Sequence, residues 1–403
     1  MSFLSSLSLI ILLSLILGGL FKKINLPALI IMMFIGIVFG PYVLGLISPS
    51  LINISSDIRQ ICLIIILCRA GLSIDIDGLR KNGISSILLC FLPAIFEMLG
   101  YLILGVTILK LSALESLLLG SVMSAVSPAV IVPRMFTLKE KGYGIKSGVP
   151  DVIMAGASLD DIVVIVLFTS FLATFNNTTA SINIIWQLPS SIVLSILIGC
   201  ILGFFLHKIF VWLKTNDEIN VLVILSVSFL YVAIEKLLKP YLPYASMLSV
   251  ITMCVILMIL DKNKAKVLSK KFSKLWILGE IMLFSLVGME VNTDIIFDNI
   301  GINILVIFSA LMIRMIGVML CLVRSKFNIK ERIFIMFSYI PKATVQAAIG
   351  GIPLSVGLSV GNLILTFAVL SIVITAPLGA ILMDLSYKKL LDKNDVDIQY
   401  LDN

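Results

Sequence analysis

Thirteen apolar runs follow one another along the chain, separated by short polar connections. They cover residues 3–20, 26–47, 58–74, 83–109, 114–136, 148–175, 188–213, 218–238, 240–260, 273–292, 300–323, 331–353 and 358–385. A helix of about 20 residues crosses the roughly 30 Å hydrocarbon layer, and longer ones cross with tilt. The pattern predicts an all-α polytopic membrane protein with about 13 transmembrane helices. The first run has no basic residue before it, and Lys22-Lys23 follow it. That polarity is wrong for a cleaved signal peptide, so the run is expected to be the first span. Composition agrees: 60% of the residues are hydrophobic and 13% charged. A soluble fold of this size could not cover so much apolar surface.

The net charge of +7 must therefore be read by position. Connections after odd-numbered spans carry 21 Lys and Arg residues, those on the other side 4. This bias predicts an N-terminus outside, a cytoplasmic C-terminus in a cell membrane, and a short cytoplasmic tail over 386–403. It explains the basic total without nucleic acid. The six cysteines fall within or beside apolar runs without metal-ligand spacing, and the chain has one histidine, His207. They are expected to be buried small apolar residues, not disulfides or zinc ligands.

Sliding the chain on itself by 217 positions aligns Gly71 with Gly288, Asp77 with Asp294, Asn82 with Asn299, Phe91 with Phe308, Met98 with Met315 and Gly100 with Gly317. The first six spans then match the last six. Repeat one covers about 3–175, a linker helix about 188–213, and repeat two about 218–385, in one membrane unit over 1–385. A single linker helix inverts the second copy. Inverted repeats mark secondary transporters, with the site near the midplane at their interface. The same register puts Glu97 on Arg314, each in mid-span. Opposite charges at equivalent positions can meet across the pseudo-two-fold, so a buried ion pair is expected.

Two matched spans carry helix breakers. One reads Ser127-Pro128-Ala-Val-Ile-Val-Pro133-Arg134. The other reads Pro341-Lys342-Ala-Thr344-Val-Gln346, and Ser127 maps onto Thr344. Proline removes a backbone donor and interrupts the helix. Interrupted helices at matched positions point to a transport site, where freed carbonyls and half-helix ends meet an ion. Pro128, Pro133, Pro341 and Lys342 are the expected break residues.

Between them in sequence lie Asp160 and Asp161, inside the apolar run 148–175. An ionised Asp at mid-membrane costs roughly 2.5–3.5 kcal/mol on insertion scales. Neighbours on a helix point about 100° apart, so both cannot aim straight at one ion; one can face the cavity between the broken helices while the other reaches a cation or polar partner. A small hard cation such as Na⁺ or Li⁺ takes oxygen ligands. Asp161, Asp160 and the hydroxyls of Ser127 and Thr344 are the candidates. A buried carboxyl beside another can also hold a proton. One carboxylate that carries either a proton or a cation suffices for exchange, if the site faces each side in turn.

Ser127-Pro-Ala-Val-Ile-Val-Pro133, Gly142-Tyr-Gly144, Gly148-Val-Pro150 and Ala157-Ser-Leu-Asp160-Asp161 resemble the monovalent cation:proton antiporter superfamily, in its NHA-type sodium/proton antiporter branch. Arg69-Ala-Gly-Leu72 and Pro341-Lys-Ala-Thr-Val-Gln-Ala-Ala348 match the same branch. The resemblance implies crossed broken helices, a core and a dimerisation subdomain interleaved in sequence, a homodimer, and elevator-like exchange of Na⁺ or Li⁺ for protons without a cofactor. It makes Asp161 the main ion carrier and Asp160 the accessory carboxylate, and assigns Arg314 and Glu97 to the core. Many relatives have a lysine, paired to the first aspartate, where Arg314 stands. Glu97 could occupy Arg314 here, which leaves the role of Asp160 open.

K⁺/H⁺ exchange and a sodium/organic-anion symporter are the alternatives. The two central aspartates disfavour an anionic substrate. An intramembrane aspartyl protease needs its aspartates on different helices, so the chain is not read as an enzyme. Lys262, Lys264, Lys266, Lys270, Lys271 and Lys274 are expected in a cytoplasmic loop facing anionic lipid. Arg69 and Arg134 are expected to snorkel. Asn176-Asn-Thr178 matches a glycosylation pattern by accident.

Overall fold

The structure, a computed structural model, describes residues 1–74, 84–175, 183–238, 245–292 and 299–393. Asp77, Asn82 and Asp294 of the repeat register and Asn176-Asn177-Thr178 lie outside the described residues. The described chain is helical, apart from one isolated pairing between Tyr143 and Lys393. In order the helices are α1 (Phe3–Lys23), α2 (Ala28–Phe39), α3 (Pro49–Asn53), α4 (Ser55–Leu72), α5 (Ile84–Leu89) and α6 (Leu92–Thr107). Then come α7 (Ala113–Met123), α8 (Pro128–Glu140), α9 (Val149–Phe175), α10 (Asn183–Leu213), α11 (Asp217–Leu238) and α12 (Ser246–Leu260). The last are α13 (Lys262–Met289), α14 (Ile300–Leu322), α15 (Ile329–Ser338), α16 (Thr344–Ile349), α17 (Ile352–Ser355) and α18 (Gly361–Leu390). Among the described residues, eight helical stretches are long and apolar enough to cross a membrane.

Apolar side chains fill the interior and also cover much of the outer surface. On α1 the buried positions are Ser6, Ile10, Ser14 and Gly18, while Leu4, Leu12, Leu15 and Ile16 are exposed. Lipid is as apolar as leucine, so packing selects small residues that let backbones approach. A Cβ on Gly36 of α2 would strike the Ser285 carbonyl of α13, and one on Gly288 of α13 the Met33 carbonyl of α2. A Cβ on Gly71 of α4 would lie 2.7 Å from Cys254 Cβ of α12. Gly100 and Gly317 make the same kind of contact between α6 and α14, against Ile313 and Phe96 respectively.

Several boundaries differ from the sequence expectation. The lysine cluster from Lys262 is not a loop but the first turns of α13, which starts at the Asp261 cap: its carboxylate accepts from Lys264 N at 2.9 Å. The last helix runs past residue 386: α18 continues to Leu390. Its end docks on the α8–α9 connection. There Gly144 N donates to Asp392 O at 2.9 Å, and the Tyr143 ring meets Tyr387 edge-on at 4.9 Å. Gly142, Gly144 and Gly148 all take positive φ in this connection, the backbone reason for the glycines of that motif. Pro133 is no break residue. It sits inside α8, and the helix is interrupted upstream, between Met123 and Pro128. The six cysteines are free, five of them buried.

Candidate functional site: a buried charge cluster at two broken helices

α7 ends at Met123 and α8 begins at Pro128, whose missing N–H costs nothing at a helix start. On the other side, α15 ends at Ser338 and α16 begins at Thr344, with Pro341 and Lys342 in the gap. The two gaps touch: Ser127 N donates to Pro341 O at 2.8 Å. Tyr339 reaches this crossing because Gly156 of α9 has no Cβ, and its hydroxyl donates to Leu89 O at 3.4 Å.

Breaking α7 frees its last carbonyls, which three side chains cover. Gln346 Nε2 donates to Ala125 O at 2.9 Å and Val122 O at 3.2 Å. Lys342 Nζ donates to Met123 O at 2.6 Å, and Arg314 Nη1 donates to Ser124 O. Two of these caps are cations placed at the negative end of a helix dipole.

Both cations also meet Glu97. Arg314 Nη1 and Lys342 Nζ each lie 2.7 Å from Glu97 Oε2, and all three side chains are fully buried. Arg314 Nη2 reaches Asp160 Oδ2 at 3.1 Å, and the same oxygen accepts from Val126 N at 2.8 Å. Arg314 therefore bridges two carboxylates: its contact with Glu97 does not take it from Asp160. The sequence did not reveal the place of Lys342 beside Glu97, because the lysine lies 245 residues away. Gln346 belongs to the site as well, and its adjacency to Lys342 and Thr344 in the break is the sequence signal for it.

Asp161 points to a different side of α9 from Asp160, as the helical angle requires. Asp160 is fully buried, while Asp161 retains 7% exposure and lines a cavity of about 560 Å³. The cavity separates α4 and α13 on one side from α8 and α9 on the other. Pro128, Pro133, Arg69 and Glu280 are among its lining residues. Pro133 cannot donate to the Ala129 carbonyl four residues back, which leaves an oxygen without its helical donor on this wall. Arg134 is held, too: it reaches Asp384 at 3.3 Å and the Asn25 carbonyl at 3.0 Å.

Five buried ionisable groups thus share one cluster: Glu97, Asp160 and Asp161 against Arg314 and Lys342. With all of them charged, the cluster is one positive charge short. The carboxylate without a cationic contact is Asp161, the one that meets the cavity. Its Oδ1, Asp160 Oδ1, Ser127 Oγ and Thr344 Oγ1 are all buried oxygens with no partner among the described residues. Unpaired buried acceptors cost free energy, and a proton or a small cation relieves that cost.

The transmembrane sodium/hydrogen exchanger family model matches residues 9–384. This chain belongs to that family. It is 33% identical to mouse sodium/hydrogen exchanger 9B2 over 353 residues, which cover 85% of the chain and 64% of the relative. For the human protein of that name the figures are 34% over 354 residues, 84% and 65%. The chain thus spans just under two thirds of the length of these relatives. Its fold matches the sodium proton antiporter MjNhaP1 from Methanocaldococcus jannaschii with a TM-score of 0.83. That match has 19% identity and covers 96% of this chain and 98% of the other.

Proposed function

We propose that the chain is a secondary antiporter exchanging Na⁺ or Li⁺ for protons at Asp161. The observation that carries this is the charge count. Three buried carboxylates face two buried cations, and the uncompensated one opens to the cavity. A single monovalent cation or a single proton neutralises the cluster, and holding both would leave it with excess positive charge. Asp160 Oδ1, Ser127 Oγ and Thr344 Oγ1 are proposed to complete the oxygen set for the cation. The names of the relatives, sodium/hydrogen exchangers, favour the same ion pair.

Thirteen spans in two inverted six-helix repeats are part of the reading. Its support is that self-equivalent helices pack on each other, α4 on α13 and α6 on α14. Glu97 and Arg314, 217 apart, are in contact. Gly71 and its counterpart Gly288 make their closest approaches to α12 and α2, themselves counterparts. The ion-carrying core would comprise α5–α9 and α14–α18, and the scaffold α1–α4 and α10–α13, paired as a homodimer. With the lysine-rich end of α13 in the cytoplasm, beside anionic lipid, the cavity faces inward and both termini lie as the charge bias predicts. At the opposite end the buried Arg59, 2.5 Å from Glu290, packs on the Gly351 backbone. Elevator movement of the core against the scaffold would open that side and close the cavity.

The test uses everted vesicles holding an imposed pH gradient. Na⁺ or Li⁺ should dissipate it, and Asp161→Asn should abolish the response. Full activity in that variant would refute the assignment.

A further inference from the structure

The cavity has a second wall whose charges the reading above leaves unused. Ser269, Ser273, Trp276 and Glu280 recur at helical spacing along one face of α13 and line it together with Arg69 of α4. Glu280 lies in a long apolar helix, within the stretch suited to crossing the membrane. Arg69 shares the cavity lining with it. At the mouth, Lys139 and Asp151 form a pair at 2.7 Å. Once that pair is set aside, the charged lining consists of Asp161 on the α8–α9 wall, and Glu280 with Arg69 on the opposite wall.

A cation bound for Asp161 must cross this space, with a fixed guanidinium in view. Arg69 alone would repel it through a partly enclosed, low-dielectric cavity, where charges act over longer distances than in bulk water. Glu280 offsets that repulsion. We propose that Glu280 is a positioning residue for cation capture: it offsets the charge of Arg69 on the scaffold wall and so sets the cation affinity of Asp161 without ligating the ion there. This rests on the antiport reading of Asp161.

At an effective dielectric constant near 20, an uncompensated charge about 10 Å from a site shifts an ion's affinity by roughly tenfold. Glu280→Gln should therefore raise the KM for Na⁺ or Li⁺ about tenfold in proteoliposomes and leave the maximal rate within about twofold. Arg69→Gln should lower the KM, and the double variant should return close to the wild-type value. Thermal stabilisation of the purified protein by Li⁺ gives a second readout, independent of proton coupling, and should shift in parallel. A merely structural role would lower the maximal rate or the protein yield and would not be reversed by Arg69→Gln. Should Glu280→Gln fold poorly, Arg69→Gln alone still tests the proposal, because unchanged cation affinity in that variant overturns it. An unchanged KM in Glu280→Gln also overturns it. Li⁺ stabilisation that persists in Asp161→Asn would instead overturn the antiport site on which the proposal rests.

Discussion

Removing Glu97 separates two accounts of what that carboxylate does. In Glu97→Gln, Arg314 keeps Asp160 at 3.1 Å. Lys342 keeps only the Met123 carbonyl, so the stranded charge is the lysine. Breaking a buried pair by deleting one partner costs about 3–5 kcal/mol, because the remaining charge is buried without compensation. The cluster also becomes neutral before any ion enters, and carries one excess positive charge once a cation is bound. Both stability and cation affinity should fall. A second substitution should repair this, and the geometry says which. Glu97→Gln with Lys342→Met removes the stranded charge, leaves Arg314 on Asp160 and restores the one-charge deficit. Glu97→Gln with Arg314→Met restores the same count but deprives Asp160 of its contact. The Lys342 double should therefore be the more stable of the two, and more stable than Glu97→Gln alone. The assay is thermal unfolding of purified protein by fluorescence-detected size exclusion, with Li⁺ titrated in each variant. Additive losses in the Lys342 double, or better rescue by Arg314→Met, would refute the reasoning.

Gln346→Leu leaves the Ala125 and Val122 carbonyls uncovered, each an unpaired buried acceptor costing about 1–3 kcal/mol; the melting temperature should drop while the protein still inserts. Gly288→Ala drives a methyl into the Met33 carbonyl and should cost about 1–3 kcal/mol by overpacking, read as a loss of monodisperse protein after mild heating. Glu218→Gln breaks an exposed pair with Lys271 at 2.5 Å and should leave melting temperature and flux unchanged, since solvent screens such pairs.

The helical ladder, the breaks at Pro128 and Pro341 and the contact of Glu97 with Arg314 were legible because each leaves a one-dimensional trace. Apolar runs have a length, proline has no donor, and a charge in an apolar run is visible by itself. The rest depended on which faces meet. Lys342 looked like a break residue, yet its ammonium caps α7 and neutralises Glu97, a contact set by the crossing of two distant segments. Pro133 looked like a breaker because proline removes a donor, but inside α8 the cost falls on one carbonyl at a cavity wall. The lysines from Lys262 looked like a loop because polar residues interrupt the apolar pattern. A helix can nevertheless extend beyond the hydrocarbon, and Asp261 caps it there. Arg69 at a span end suggested snorkelling, and its place on the wall of the cavity between α4 and α9 depends on which helices meet there.

The central claim is that one cation and one proton compete for the Asp161 carboxylate. Proton release on cation binding tests it most directly. Purified protein in weakly buffered solution is titrated with Li⁺ or Na⁺ at constant pH, and the released protons are counted against bound cation. At pH values where the site is protonated, the account predicts one proton released per cation bound, an apparent affinity that weakens about tenfold per pH unit of acidification, and neither effect in Asp161→Asn. Cation binding without proton release in the acid range, or release that survives in Asp161→Asn, would contradict it.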